Sequence, residues 1–245
     1  MVTDTKPVTL SCIMPCHNGA PYIAEALTSV TQQTRAPDEI ILVDDGSTDG
    51  SADIARSLNI DALKIISQEN LGPGAARNAG LAIARGDVIS FFDADDIAPQ
   101  ERFAHLLTPL QNDPEIDATF GHWQNFWIDA LVHEADAPGA QTLRGIQTTL
   151  FLSGSAIRRT AFDRFGIFET PREPNSSGKI SDVDANSHVQ WLINARRAGM
   201  RHTRVAELVT WRRIHYSNIS RKKTQDGLFD FVRTLRNQRK PRASD

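Results

Sequence analysis

Apolar and polar positions fall into blocks along the first hundred residues, and the blocks alternate between two periods. Val8 to Met14 is an apolar run rich in strand formers, whereas Tyr22 to Thr31 repeats apolar residues at Ile23, Ala26, Leu27 and Val30, the stripe of a helix. The pairing then recurs: strand Glu39 to Val43 and helix Thr48 to Leu58, strand Leu63 to Ile66 and helix Gly74 to Ala84, then strand Val88 to Phe92. Gly80 interrupts the third helix, which points to a close contact there, and Gly86 stands after Arg85 where a C-capping glycine belongs. Short, nearly all-apolar strands joined by helices predict an α/β fold with a mostly parallel sheet covered on both faces. Right-handed crossovers put the C-terminal ends of such strands along one edge, where open α/β sheets bind ligands.

Beyond Asp96 the pattern loosens. Glu101 to Leu110 reads as a helix, Ala118 to Trp127 alternates like a strand, and Asp129 to Ala140 has the composition of a loop. Leu150 to Ile157 predicts a strand and Arg159 to Phe165 a short helix. Residues 170–188 offer almost nothing to anchor a core and read as a flexible active-site loop, followed by a helix over Val189 to Ala198 and a strand over Val205 to Trp211. A last amphipathic stripe, Leu228, Phe229, Val232 and Leu235, predicts a C-terminal helix over Gln225 to Leu235. No repeat and no linker divides the chain, so we expect one unit over 1–221, with halves 1–100 and 101–221, and a basic helical tail over 222–245.

Composition narrows this picture in three ways. The 245 residues are 40% apolar, enough for a folded core, and no apolar run approaches the roughly 20 residues that cross a bilayer. The opening residues lack a secretory pattern, so a cytoplasmic protein is expected. The two cysteines, Cys12 and Cys16, share one strand face at a separation unsuited to a disulfide, and read as buried thiols and not as metal ligands. Charge is uneven: residues 211–242 hold ten Lys or Arg against two acids, while the whole chain carries a net charge of −3. No nucleic-acid-binding signature accompanies that basic run, so nucleic acid is not an expected partner. Packing on the acidic body is its simplest reading; an anionic membrane surface or a lipid-linked acceptor is the alternative.

Candidate chemistry collects where the strands end: PCHNG after the first, DDGSTDG after the second, ENLGPG after the third and DADD after the fourth. Asp93, Asp95 and Asp96 leaving a buried strand together would repel one another unless a cation or donors compensate, and hard carboxylate oxygens suit Mg²⁺ or Mn²⁺. Asp96, ahead of Pro99, has the alternative role of a helix cap. Asp44 and Asp45 form a second acidic pair that can accept hydrogen bonds from a base or ribose, and Ser47 and Asp49 read as turn and cap residues. The run from Asn70 through Gly74 to Arg77 and Asn78 only begins a dinucleotide fingerprint, with Arg77 at its final glycine position. A helix starting there still offers N–H groups, and Arg77 can steady phosphate or acidic loops.

These motifs carry a family resemblance. VTLSCIMPCHNG through DDGSTDGSADIA, then NLGPGAARNAGLAIARGDVISFFDADD, resembles the start of family 2 glycosyltransferases of the GT-A fold; LFLSGSAIRRTAFDRFGIFE resembles their acceptor-side segment and WRRIHYSNIS their late R-x-H-x-x-N-x-S segment. The resemblance implies inverting transfer of a sugar from a nucleoside diphosphate sugar to a glycan, lipid-linked or other hydroxyl acceptor. It implies that Pro15, Cys16, His17 and Asn18 lie against the nucleotide, with Asn70, Gly74 and Arg77 on the same donor site. Asp45 would read the base. Asp93, Ala94 and Asp95 match the D-x-D, with Mn²⁺ or Mg²⁺ held by Asp93, Asp95 and His215.

The family's acidic base sits in a segment resembling E-D-x-x-x-W. Anchored on Trp191, the E-D positions here are Asn186 and Ser187, so the expected base moves to Asp184 or Asp182, with His188 behind them. Two other functions compete: a sugar nucleotidyltransferase, disfavoured because the first loop carries no cation for a triphosphate, and a non-catalytic nucleotide-sugar or carbohydrate-binding protein.

Overall fold

A computed structural model describes residues 8–136, 144–170 and 187–218. Its strands are β1 Leu10–Cys16, β2 Glu39–Asp45, β3 Leu63–Gln68, β4 Val88–Phe91, β5 Ala118–Trp127, β6 Ser155–Arg158 and β7 His202–Ile214. The helices are α1 Ile23–Thr31, α2 Ser51–Ser57, α3 Pro73–Ile83, α4 Arg102–Asn112, α5 Arg159–Phe165 and α6 Ser187–Arg197. All seven strands form one sheet in the order β3-β2-β1-β4-β6-β5-β7. The first four run parallel, β6 is antiparallel to both neighbours, and β5 and β7 pair in parallel. The predicted α/β architecture is therefore present: a parallel half built from the regular alternation, and a mixed half built from the looser remainder.

Successive side chains of β1 supply opposite faces of the sheet, as the two-residue period requires. Leu10, Cys12, Met14 and Cys16 join Leu27, Phe103 and Leu106 in one core layer, whereas Ile13 joins Val43, Phe91 and Trp191 in the other. Both thiols are buried and free, as their shared face predicts. Gly80 meets its expectation too: a Cβ there would lie 2.4 Å from Ile13 Cγ2, so its absence lets α3 settle on β1.

Several boundaries differ from the pattern. β1 extends through Pro15 and Cys16 because its ladder with β2 continues to Val43 and Asp44. Gly86 does not cap α3, which ends at Ile83 with Ala84 extended. Instead it packs on β1, where a Cβ would lie 2.5 Å from the Ser11 nitrogen, and its N–H donates to Ser11 Oγ at 2.8 Å. The stretch read as a loop after β5 forms a 3₁₀ helix over Asp129–Asp136. The strand expected over 150–157 divides into a 3₁₀ turn, Leu152–Gly154, and the short β6. β7 runs well beyond its apolar centre because it follows β5 along a bulged ladder. The C-terminal helix expected over 225–235 lies outside the described residues.

At the opposite end of the sheet from the polar loops, Glu39 is almost buried and accepts from Lys64 Nζ at 2.5 Å, Ser11 Oγ at 2.6 Å and the Arg85 N–H at 2.6 Å. Partial burial raises its pKa, but these three donors outweigh that and hold it at about 2. The folded-state value is depressed, so the stabilisation is present above the ordinary carboxylate range and disappears as pH falls toward 2. Glu39→Gln should cost on the order of 2 kcal/mol near neutral pH. Urea unfolding at a series of pH values checks this: the gap between the proteins should close on acidification, and a pH-independent gap would assign the loss to packing.

Candidate functional site

The ends of β1, β2 and β3 bring three of the polar loops into contact. His17 Nδ1 is 2.7 Å from the Asp45 carbonyl oxygen, an obligate acceptor, so Nδ1 carries the proton and Nε2 is left to accept from Asn70 Nδ2 at 3.1 Å. Asn18, at φ 53°, donates its N–H to Ser47 Oγ at 2.9 Å and accepts the Thr48 N–H at 2.9 Å. Ser51 Oγ and Asp49 Oδ2 accept from the N–H groups of Gly19 and Ala20, each at 2.9 Å. Gly46 has φ +70°, and a Cβ on it would lie 2.8 Å from the Asn70 nitrogen, so both conformation and space demand glycine.

Asp45 is 3% exposed and accepts from Gln68 Nε2 at 2.7 Å and from the N–H groups of Leu71 and Gly72, each at 2.9 Å. It thereby fixes the loop that carries Asn70 toward α3. Two carboxylate oxygens offer about four lone-pair sites, so one acceptor position remains beyond these three. Asp45→Asn is expected to weaken nucleotide binding by about 1.5–3 kcal/mol if that position meets a base or ribose donor. Calorimetry with the free nucleotide and a melting curve separate the roles: lower melting temperature with unchanged affinity would make Asp45 a loop anchor alone.

The end of β4 forms the second centre. Asp93 accepts from Arg77 Nη2 at 3.0 Å, and its N–H donates to Ser153 Oγ at 3.1 Å. Asp95 Oδ2 lies 2.8 Å from His215 Nε2 and accepts from Asn218 Nδ2 at 3.3 Å. Asn218 also holds the backbone of His215 and Arg213, through 2.6 Å and 3.2 Å bonds. Arg213 reaches back to the Asp95 carbonyl at 2.8 Å and to Glu25 at 2.6 Å, with its guanidinium over the rings of Tyr22 and Phe126. Burial raises the pKa of Asp93 against the pull of Arg77, with the Asp95 charge adding to the rise. Asp96 is raised further, first by burial and then by Asp95 and Asp93. It caps no helix: it is 1% exposed, and its Oδ1 accepts the Arg213 N–H at 3.0 Å.

Beneath this cluster lies Arg102, fully buried among neutral acceptors. Nη1 donates to the Val209 carbonyl and Thr210 Oγ1, each at 2.7 Å, while Nη2 donates to Ser90 Oγ at 3.1 Å and the Phe91 carbonyl at 3.3 Å. The cation joins β4, which presents the acids, to β7, which presents His215. Burial pushes its own pKa down to about 10.

The predicted residues thus divide into two adjoining groups. Pro15, Cys16, His17, Asn18, Asp45 and Asn70 gather at the ends of β1 to β3; Gly74 and Arg77 on α3 lead to Asp93, Ala94 and Asp95, which meet His215. Asp182 and Asp184 lie outside the described residues. Among the described residues no three His, Cys, Asp or Glu side chains stand close enough to hold a metal alone. Asp93 and Asp95, with His215 against Asp95, nonetheless fit a hard cation that takes its remaining ligands from diphosphate and water, as Mg²⁺ and Mn²⁺ do. Pattern reading missed Arg102, Arg213 and Glu25. An arginine in the first turn of an apolar helix looks like a surface residue until tertiary packing buries it.

Comparison with known proteins agrees with this geometry. The family model described as "Glycosyl transferase family 2" matches residues 11–166. The chain is 32% identical over 156 residues to an uncharacterized glycosyltransferase of Nostoc, covering 60% of this chain and 47% of that protein. It is 34% identical over 120 residues to glycosyltransferase GlyG of Streptococcus pneumoniae, covering 48% of this chain and 40% of GlyG. The chain thus spans about half or less of these curated relatives. Among solved structures, S. aureus TarS 1–349 in complex with UDP-GlcNAc superposes with a TM-score of 0.64 at 20% identity, over 86% of this chain and 60% of that one. The mannosyltransferase PcManGT of Pyrobaculum calidifontis, in complex with GDP-Man and Mn²⁺, gives 0.64 at 20% identity, over 97% of this chain and 67% of its own. At such identities the structural likeness establishes the fold, which is of the GT-A type.

Proposed function

The chain belongs to glycosyl transferase family 2, and from that membership we propose that it transfers a sugar from a nucleoside diphosphate sugar to a hydroxyl acceptor, with inversion and with Mn²⁺ or Mg²⁺ at the diphosphate. The observation that carries this reading is the meeting of Asp95 with His215 and Asn218 beside the Arg77–Asp93 pair, at the end of the strand nearest the nucleotide loops. When bound there, a divalent cation supplies positive charge to the leaving diphosphate. The complexes of PcManGT with GDP-Man and Mn²⁺, and of TarS with UDP-GlcNAc, support this donor class.

In this reading His17, Asn18, Asn70 and the last acceptor position of Asp45 hold the base and ribose. Arg77 keeps Asp93 directed toward the diphosphate, and Arg102 keeps β4 and β7 in the register that joins Asp95 to His215. Asp184, or failing it Asp182, takes the proton of the acceptor hydroxyl on the face opposite the leaving group, as inversion demands. The acceptor is a glycan, a lipid-linked saccharide or another hydroxyl compound. The basic run after Arg221 supports peripheral attraction to an anionic inner-membrane surface from the cytoplasm, and no helix among the described residues is long and apolar enough to cross a membrane.

A panel of UDP- and GDP-sugars, scored by thermal shift with and without Mn²⁺, tests the proposal. One donor class should raise the melting temperature more with Mn²⁺ than without it, and that donor should turn over with an acceptor or hydrolyse slowly. Asn186 and Ser187 in place of an acidic pair favour one rival, a non-catalytic binding protein. Donor binding without hydrolysis or transfer would select that rival.

A further inference from the structure

Arg77, beside the acid cluster, and Ser187 and His188, whose ring feels the Arg77 charge, hold buried polar atoms without hydrogen-bond partners among the described residues. Arg77 is 6% exposed, yet only Nη2 is engaged, on Asp93; Nε and Nη1 are buried without hydrogen-bond partners. Ser187 Oγ and His188 Nδ1 are likewise buried and unpartnered. Phe168 links the segment around Arg77 to α6. Asn78, next to Arg77, donates to the Phe168 carbonyl at 2.8 Å and accepts the Phe168 N–H at 3.1 Å. Phe168 and Phe162 pack on Trp191, at 5.7 and 4.9 Å between ring centroids, and Trp191 lies one turn into the helix that begins with Ser187 and His188. Burial first, and the Arg77 cation second, push the His188 pKa down to about 3, so the ring is neutral near pH 7.

Buried donors without acceptors cost stability, and a cation costs more than a neutral group. The orphaned atoms here are of one kind in function: Arg77 Nε and Nη1 can only donate, and Ser187 Oγ and neutral His188 Nδ1 can each turn a hydrogen outward. Opposite charge on this side of Arg77 is absent from the first turn of α6. The two positions where the related pattern places E-D hold Asn186 and Ser187, neither of them a carboxylate.

We propose that Arg77, Ser187 and His188 form a subsite for an oxyanion, a carboxylate or phosphate borne either by the donor's sugar or by the acceptor. The subsite adjoins Asp93 and therefore the reacting end of the donor, and the inference rests on the transferase reading given above. Asp93 engages only Nη2 of the guanidinium, and an oxyanion would accept from Nε and Nη1 as well as from Ser187 and His188, with charge-assisted hydrogen bonds.

Calorimetry on the full chain with Mn²⁺ tests this in two arms. The donor arm compares UDP-glucuronate with UDP-glucose and GDP-mannuronate with GDP-mannose; the acceptor arm compares glycerol 3-phosphate with glycerol on protein saturated with UDP or GDP. The anionic probe should bind at least about tenfold tighter in one arm, which identifies the substrate that carries the charge. Ser187→Asp, which restores an acid at the start of α6, and His188→Ala should each reduce that preference at least about threefold, with folding checked by melting curves. No preference in either arm, with UDP or GDP still bound, would overturn the subsite and leave the transferase reading standing. A preference undiminished in both variants would also overturn it, and failure of the wild type to bind either nucleotide would remove both readings.

Discussion

Asp95→Ala should abolish the Mn²⁺-dependent part of donor binding without unfolding the protein. Partners that merely orient a metal ligand are worth about 10–100-fold in affinity, so loss of the ligand should weaken Mn²⁺-supported binding by at least about 100-fold. Stability should move little, or upward. Asp95 stands with Asp93 and Asp96 in one acidic cluster, where its charge raises the pKa of both neighbours, and its removal relieves that repulsion. Asp95 itself is partly exposed, although the contacts it gives up are to His215 and Asn218, both buried. Calorimetry with donor, with and without Mn²⁺, and a melting curve without metal check both halves. Unchanged metal-dependent affinity would remove Asp95 from the metal site, and collapse of the fold would make it a structural acid.

The same cluster shows which parts of the molecule a sequence can disclose. The four polar loops were legible because each follows a short apolar strand, and the crossover rule alone sends them to one edge. His17, Asp45, Asn70, Asp93 and Asp95 then occupy that edge by position in the chain. The supporting groups come from elsewhere. Arg102 belongs to α4 and serves acceptors on β7 more than a hundred residues away, so nothing near it in sequence signals burial. Gly86 looked like a helix cap because local signals cannot see β1 approaching it. Ser187 and His188 were assigned to a loop because the segment before them lacks apolar residues, whereas Trp191 packing on Phe162 and Phe168 anchors the helix from their first turn onward. Local chemistry marked where a ligand would sit, and long-range packing decided what holds the site in shape.

The acceptor side brings the other large expected effect. With Asn186 and Ser187 at the positions of an acidic pair, Asp184 and Asp182 are the nearest upstream carboxylates to α6, and both lie outside the described residues. If Asp184 takes the acceptor proton, Asp184→Asn should lower turnover by a factor on the order of 10²–10⁴ and leave donor affinity nearly unchanged, because the proton moves only in the transition state. Asp182→Asn should then be mild. His188 is the weaker candidate among these groups: its ring already sits beside the Arg77 cation, and a proton on it would be opposed by burial and by that charge. Initial rates and donor affinities for the three variants Asp184→Asn, Asp182→Asn and His188→Gln separate the possibilities. Reversed ranking of the two acids would assign the role to Asp182. Two mild acid variants and a severe His188→Gln would mean that the bound diphosphate offsets the Arg77 charge enough for the imidazole to accept the proton. Three mild effects would exclude all three groups as the base and point to an unusual base or a missing partner.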